Sequence, residues 1–366
     1  MKDGPNLIKA CLLCAAMLQA ADGGAQPVTN FAGGGYHNLF LMGNGSLFAV
    51  GYNGSGELGD GTYNNTNLPE LIVVSNVVAV AAGQFHSLFI KTNGSLWAMG
   101  DNAEGELGDG TYSTNDPYYG TNRPEQIVSS NVTAIAAGGY HSLFIKTNGS
   151  LWAMGYNGFG ELGDGTTDGG NYKTNRPEQI VSSNVTAIAA GGGSYNEGNT
   201  TFYTDHSLFL KRDGSLWAMG DNSFGQLGDG TYNNAIQAEQ IVASNVTAIA
   251  AGELHSLFLK SDGSLWAMGY NADGELADGT NNDVNYPEQI LAAYNRMSGR
   301  LLTGGKMQLS FVGNPGVKYA LDRAFNLSRL TWLPQATNPA SPFGPLVFTN
   351  TPNTATNNFW RIRSVP

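Results

Sequence analysis

The chain has 366 residues, 41% of them hydrophobic and only 13% charged, with 29 acidic against 18 basic side chains. That supplies enough apolar material for a folded core and excludes a disordered polyelectrolyte, while a net charge of −11 works against nucleic-acid phosphates as partners. Its 50 glycines fall at fixed places in longer repeats instead of at every third residue, which excludes a collagen-like helix and marks turns.

Residues 1–25 come first and read as a secretory signal peptide. Lys2 and Lys9 accompany the apolar run ACLLCAAMLQAA, and small residues follow as far as Ala25. The run is about a dozen residues long, short of the ~20 that a membrane helix needs, so the mature chain is expected to carry no integral membrane segment. Cys11 and Cys14, the only cysteines, lie inside this leader. The mature protein is thus expected to be secreted or held in the cell envelope, with neither a disulfide framework nor a thiol nucleophile. Cys14 as an acylated lipoprotein cysteine is the weaker alternative, because Cys11, Leu12 and Leu13 are a poor small-residue box.

Residues 26–301 contain five copies of one pattern, seen most plainly in HSLFIKTNGSLWAMGYNGFGELGDGT, His141 to Thr166. A period near fifty residues points to a solenoid or a propeller. Each copy reads as four short strands: one like NVTAIAAG, then HSLFIK, then SLWAMG, then PEQIV. Asn-Gly or Asp-Gly pairs (Asn44-Gly45, Asn93-Gly94, Asn148-Gly149, Asp213-Gly214, Asp262-Gly263) separate the second and third strands. They predict a two-residue hairpin turn with both central residues at positive φ. Strands such as SLFI are apolar at successive positions, so both of their faces must be covered. Four-stranded units repeated radially satisfy that need and leave only short edges, which makes the fold class all-β, a β-propeller of five four-stranded blades.

The glycine before His-Ser, the Asn/Asp-Gly turn, the aromatic strand and the GELGDGT segment together resemble the repeat of the regulator of chromosome condensation family, over about residues 28–295. The resemblance implies a propeller whose sequence repeat is offset from its blades. It therefore implies a three-plus-one closure, in which Pro287 to Ala293 returns to complete the first blade. Five copies depart from the family's usual seven blades. The nucleotide-exchange activity of eukaryotic members requires an intracellular GTPase and is not expected of an exported chain.

Residues 302–366 leave the repeat and read as a small β-sandwich-like module of alternating strands broken by Gly, Pro and Asn. This part is loosely similar to small C-terminal modules of secreted proteins of environmental bacteria, through FVGNPGVKYAL, Leu330 with Trp332, and the terminal FWRIR. It carries a net charge of +5, which leaves −16 of the total −11 for the rest. A basic module of this kind is expected to meet an anionic polymer at a cell surface or to mean nothing beyond solvation.

Chemistry-bearing residues mostly recur with the repeat. His37, His86, His141, His206 and His255 occupy one position in all five copies. One residue per blade stands a blade apart from its copies, so the resemblance and the spacing both favour a framework role, bonding backbone groups of an adjacent loop, over a metal centre. The repeated carboxylates, Glu57 with Asp60, Glu106 with Asp109, Glu161 with Asp164, Asp229 alone beside Gln226, and Glu275 with Asp278, read the same way. A catalytic pair is needed only once, and Asp in a GDGT turn accepts backbone N–H groups. Calcium in these turns is the alternative, although they lack a dense Asp ladder. Trp97, Trp152, Trp217 and Trp266 read as packing residues ahead of a sugar-binding surface. No cofactor is called for.

What differs between copies carries the functional expectation. Antiparallel strands bring the link between the first and second strands and the link between the third and fourth to one face. The long insertions at 111–122, 166–175 and 192–205 all lie there. They are rich in Tyr, Asn, Ser and Gly, a composition suited to recognition. Candidate binding residues are Tyr118, Tyr119, Tyr172, Tyr195 and Tyr203, with Asp116 and Glu197 as polar partners; plain surface loops are the alternative. The expected function is non-catalytic binding of a protein or polysaccharide. Two other readings stay open: a glycan-active hydrolase or lyase, and surface adhesion through the C-terminal module.

Overall fold

The computed structural model describes residues 26–113, 120–167, 173–197, 200–291, 297–301, 306–311, 318–324, 333–339, 346–350 and 359–365, and every regular element among them is a strand. Each sequence copy forms one four-stranded sheet. Blade 1 comprises Val28–Gly33, His37–Met42, Leu47–Gly51 and Thr66–Val73; blade 2 Val77–Ala82, His86–Lys91, Leu96–Asp101 and Gly120–Val128. Blade 3 comprises Val132–Ala137, His141–Lys146, Leu151–Tyr156 and Lys173–Val181; blade 4 Val185–Gly191, His206–Lys211, Leu216–Gly220 and Ala235–Val242. Blade 5 comprises Val246–Ala251, His255–Lys260, Leu265–Gly269 and Val284–Leu291. This is the β-propeller architecture the repeats predict.

The expected three-plus-one closure is not formed. Blade 1 takes all four strands from consecutive residues, with Thr66–Val73 as its fourth, and Val284–Leu291 pairs within blade 5. The repeat is in phase with the blade because the chain supplies an inner strand, Val28–Gly33, directly ahead of the first His-bearing strand.

The continuous apolar runs have a direct cause. In blade 2, Leu88 and Ile90 face forward and pack with Phe144 and Met154 of blade 3, while Phe89 faces back onto Leu39, Leu41 and Leu47 of blade 1. Blade 3 repeats the arrangement toward Phe209 and Met219 of blade 4. The core therefore lies between blades, and each HSLFIK strand fills two interfaces at once. Residues such as Leu88, Phe89, Phe144 and Met154 are fully buried. By contrast Leu259 of blade 5 is 36% exposed where its counterparts Ile90, Ile145 and Leu210 show 2–3%.

The Asn-Gly links depart from the predicted turn. Only the glycine has positive φ, 80° at Gly45, and the asparagine does not. Met42 N–H donates to Ser46 O and Gly45 N–H to Met42 O, which makes a three-residue loop, a type I turn followed by a left-handed glycine. Asn44 spends its side chain as an acceptor, with Oδ1 taking the Ser46 N–H at 3.0 Å and the Ser46 hydroxyl. The same bonds recur from Asn93, Asn148, Asp213 and Asp262. Local side-chain bonding replaces the second positive φ.

Two compact units divide the chain, one taking in the repeats to Phe258 with Ala267–Glu288, the other Leu259–Trp266 with Gln289–Pro366. In the second, Met297–Leu301, Met307–Phe311 and Leu346–Asn350 form one three-stranded sheet, and Leu333–Pro339, Lys318–Ala324 and Phe359–Val365 another. Leu309, Phe311, Tyr319, Leu321 and Phe348 make its core. The sheet includes Met297–Leu301, ahead of residue 302. Leu330 and Trp332 lie outside the described residues.

Candidate functional site

Four of the five repeated histidines fasten one blade to the next. His37 Nε2 meets Ser87 Oγ at 2.8 Å, and the Ser87 hydroxyl donates to Glu57 O at 2.8 Å, so the imidazole N–H is the donor in the first bond. His86 repeats this with Ser142 and Glu106 O, His141 with Ser207 and Glu161 O, and His206 with Ser256 and Gln226 O. The partner is thus a serine hydroxyl, which corrects the expectation of direct backbone bonding; the serine relays the bond to the backbone carbonyl. Burial pushes His37 down from 6.5 to about 4 and His86 and His206 to about 3, so these rings stay neutral. Gly45 O, Gly94 O, Gly149 O and Gly214 O each accept an N–H from the following blade as well. His255 of blade 5 has no serine partner among the described residues, and the residue at the serine position of blade 1 is Asn38.

Blade 4 departs from the pattern. Asp205 takes the position that Tyr36, Phe85 and Tyr140 hold elsewhere. Its buried carboxylate accepts Gly139 N–H at 2.9 Å and Tyr140 N–H at 3.3 Å and meets His141 Nδ1 at 3.3 Å. Ser207, His141 and Asp205 thus stand in the order of a hydrolase triad. All three are fully buried, and the Ser207 hydroxyl is committed to Glu161 O, so the chain of bonds serves the junction between blades.

The GELGDGT carboxylates divide into two groups. Asp60, Asp109, Asp164, Asp229 and Asp278 accept the N–H of the threonine two residues on, at 2.7–2.8 Å, and bond the side chains of Asn53, Asn102, Asn157, Asn222 and Asn271. These are turn supports, as the sequence suggests. Glu57, Glu106 and Glu161 are buried instead. One oxygen of each accepts a local N–H and Oε1 has no partner. Burial raises Glu57 from 4.5 to about 7, and burial followed by Asp101 holds Glu106 well above the ordinary range. In blade 4 the glutamine at this position solves the problem, since Gln226 Nε2 donates to Asp221 Oδ2 at 3.0 Å. No group of three metal-ligating side chains occurs among the described residues.

The tryptophans pack as expected and are only half-buried. Trp97, Trp152 and Trp217 stack on Phe89, Phe144 and Phe209 at 6.0–6.1 Å, donate to a serine hydroxyl at 2.9 Å, and are capped by Lys91, Lys146 and Lys211 at 3.7–3.9 Å.

The links after the first and third strands share a face: Tyr52 N–H donates to Tyr36 O, Asp101 N–H to Phe85 O, Tyr156 N–H to Tyr140 O and Asp221 N–H to Asp205 O. On that face a row of rings crosses blades 1 to 4. Tyr36 stacks on Phe85 at 5.7 Å with Tyr52 edge-on to both. Phe85 meets Tyr140 at 6.5 Å, Tyr140 meets Tyr203 at 4.9 Å, and Tyr203 meets Tyr156 at 5.2 Å. Tyr36 is 61% exposed and Tyr52 41%. Beside the row the inner strands of all five blades end around a cavity of about 380 Å³, lined by glycines together with Tyr36, Gln84, Ser194 and Glu253. Tyr140 and Gln84 both bond the Ser194 hydroxyl, at 2.9 and 3.3 Å. Burial raises the Tyr140, Tyr156 and Tyr203 hydroxyls, and carboxylates among Asp101, Glu104, Glu161 and Asp205 add to the rise, so the row sits in a negative field.

Of the sequence-predicted binding residues, Tyr203 stands within this row. Tyr195 and Glu197 belong to the insertion hairpin Ser194–Glu197 with Thr200–Tyr203. Asp116, Tyr118, Tyr119 and Tyr172 lie outside the described residues. Tyr36, Tyr52, Phe85, Tyr140 and Tyr156 were not anticipated, because they occupy repeated positions. The signal was the residue before the repeated histidine, which changes from Tyr or Phe to Asp and Leu along the chain while the histidine itself stays fixed.

The blade-to-blade relay and the GELGDGT turns define a repeat-built propeller with a variable face. The RCC1-like domain model matches residues 16–312, and the chain belongs to that family. Human WBSCR16 is 23% identical, with 76% of this chain and 72% of that chain covered at a TM-score of 0.62. Prp20p from Saccharomyces cerevisiae is 24% identical, with 80% and 71% covered at a TM-score of 0.59. A bifunctional serine/threonine-protein kinase/NEDD4-like E3 ubiquitin-protein ligase of Dictyostelium discoideum is 26% identical over 194 residues, 53% of this chain; the match spans 8% of that relative's length.

Proposed function

We propose that this protein is an exported interaction module that holds a protein or polysaccharide partner on the face carrying the aromatic row and does no chemistry on it. One observation carries the reading: a continuous line of rings lies partly exposed across four blades, at positions the blade framework does not need. The other repeated side chains are committed to junctions or turns. Prp20p, a propeller of similar fold, has been described for its binding to Gsp1p and histones, and partner binding is the property brought to this chain. Export rests on the leader pattern of residues 1–25.

The test is a binding panel of basic, acidic and neutral peptides and of neutral and acidic oligosaccharides. It is run on the full chain and on a Tyr36→Ala/Phe85→Ala/Tyr140→Ala variant of matched melting behaviour. Loss of the panel's tightest binder by at least about tenfold supports the site. Equal affinity in the two proteins overturns it. For export, the chain recovered from the culture medium is expected to begin near Gln26; a cell-retained chain that keeps Met1 contradicts it.

A further inference from the structure

Among the described residues the blade junction repeats four times, and a groove lies beside the last blade. At the earlier junctions the following blade seals the repeated histidine and glutamate: His37, His86, His141 and His206 are buried, as are Glu57, Glu106 and Glu161. In blade 5 the corresponding His255 and Glu275 are only half-buried and line a cavity of about 560 Å³. One wall is apolar, with Phe224 and Tyr270 meeting edge-to-face at 5.2 Å. The rest is mainly acidic. Glu253, Asp273 and Glu275 all border the groove, no Lys or Arg does, and none of the three forms a salt bridge among the described residues; the one base beside them, His255, is held below its ordinary value by burial, against the pull of Glu275. Glu253 also borders the cavity beside the aromatic row, so the groove continues the proposed binding face.

Aromatic walls with carboxylates select one kind of ligand. A hard divalent ion wants about six oxygen ligands drawn together, and the carboxylates and His255 of the groove do not form a group of three that could hold one among the described residues. A neutral sugar would leave three carboxylates partly desolvated without a counter-charge. An organic cation uses every part: its flat or alkyl body lies on the rings, and its N–H groups reach the carboxylates. Burial, and then Asp205, already push the Glu253 carboxyl upward, a cost that an arriving cation offsets. The net charge of −11 steers such a ligand in.

We infer that this groove of blade 5 is a docking site for a lysine- or arginine-bearing segment of a partner protein, with the cationic side chain held between Phe224 and Tyr270 and the carboxylates of Glu253, Asp273 and Glu275. The inference rests on the reading of this face as a binding surface and names the class of partner.

The test uses fluorescein-labelled octa-arginine and octa-lysine peptides, an acidic peptide of equal length, and calcium alone, each titrated into the full chain at about 50 and about 300 mM NaCl. The basic peptides are expected to bind and to weaken with salt. Asp273→Asn/Glu275→Gln is expected to lower their affinity by at least about tenfold, and Phe224→Leu by about threefold or more. Glu70→Gln/Glu239→Gln, which removes the same two charges from exposed strand positions elsewhere, is expected to change affinity less than about twofold. Phe224→Leu guards against the carboxylate pair acting through folding. Equal loss in the two charge-matched variants overturns the groove, as does failure of the wild-type chain to bind either basic peptide, or calcium binding lost in the groove variant. In each of those cases binding that depends on the aromatic row leaves the broader reading standing.

Discussion

At the scale of single residues, the repeat places glutamate at a buried position where blade 4 carries an amide, and the consequence is a pH-dependent stability. Glu57 rises from 4.5 to about 7 on folding, so its contribution is fully present below about 4.5 and is lost as the pH climbs through 7, a swing of about 3 kcal/mol at most. The histidines act in the opposite sense. His37, His86 and His206 fall from 6.5 to about 4 or 3, so their contribution is present above 6.5 and is lost as the pH drops toward 3–4. Glu106→Gln would reproduce the Gln226–Asp221 bond beside Asp101. It is expected to raise the melting temperature at about pH 8 and to give no gain at about pH 4; a gain of equal size at both pH values contradicts the account. Ser142→Ala breaks the relay from His86 to Glu106 O and is expected to cost about 1–3 kcal/mol in denaturant unfolding. That the histidines serve the framework was legible from their recurrence. That they reach the carbonyl through a serine was not, because the serine and its histidine come from different copies.

At the scale of elements, strands and blade number were legible because every copy repeats the same apolar pair of faces, and the Leu/Ile face of one blade meets the Phe and Met of the next. The turn was misread for a local reason. Asn-Gly permits positive φ at both residues, but a serine following the glycine lets the asparagine or aspartate side chain hold a three-residue loop built on a type I turn. The phase of the repeat was misread because the family resemblance implied an offset, whereas the strand Val28–Gly33 already completes blade 1. One comparison isolates the junction. Gly94 and Gly263 have similar φ, 75° and 86°, yet a Cβ at Gly94 would sit 2.8 Å from Asn131 N of the next blade, while no described residue lies within 4 Å of a Cβ at Gly263. Both alanine variants share the backbone cost of about 1 kcal/mol. Gly94→Ala is expected to be the more destabilising by at least about 1 kcal/mol in chemical unfolding. Equal losses would show that the glycine is required for its turn alone.

At the scale of the whole propeller, repetition and variation divide the labour. Repeated side chains close four junctions with His–Ser relays, backbone bonds and interleaved Leu, Phe and Met side chains. The face bearing the links after the first and third strands collects the rings, the carboxylates and the groove of blade 5. The sequence pointed to the same face as the proposed site but to its insertions. Of those residues only Tyr203 stands in the described aromatic row, because rings at repeated positions such as Tyr36, Phe85 and Tyr140 look like framework until neighbouring blades bring them side by side. The most direct test is amide hydrogen exchange of the full chain with and without the tightest binder from the panel. Added protection is expected at 33–36, 83–85, 138–140, 192–194 and 251–255, with the turns at 43–45, 92–94 and 147–149 unchanged. Protection concentrated on those turns instead would place the partner on the opposite face and contradict the account.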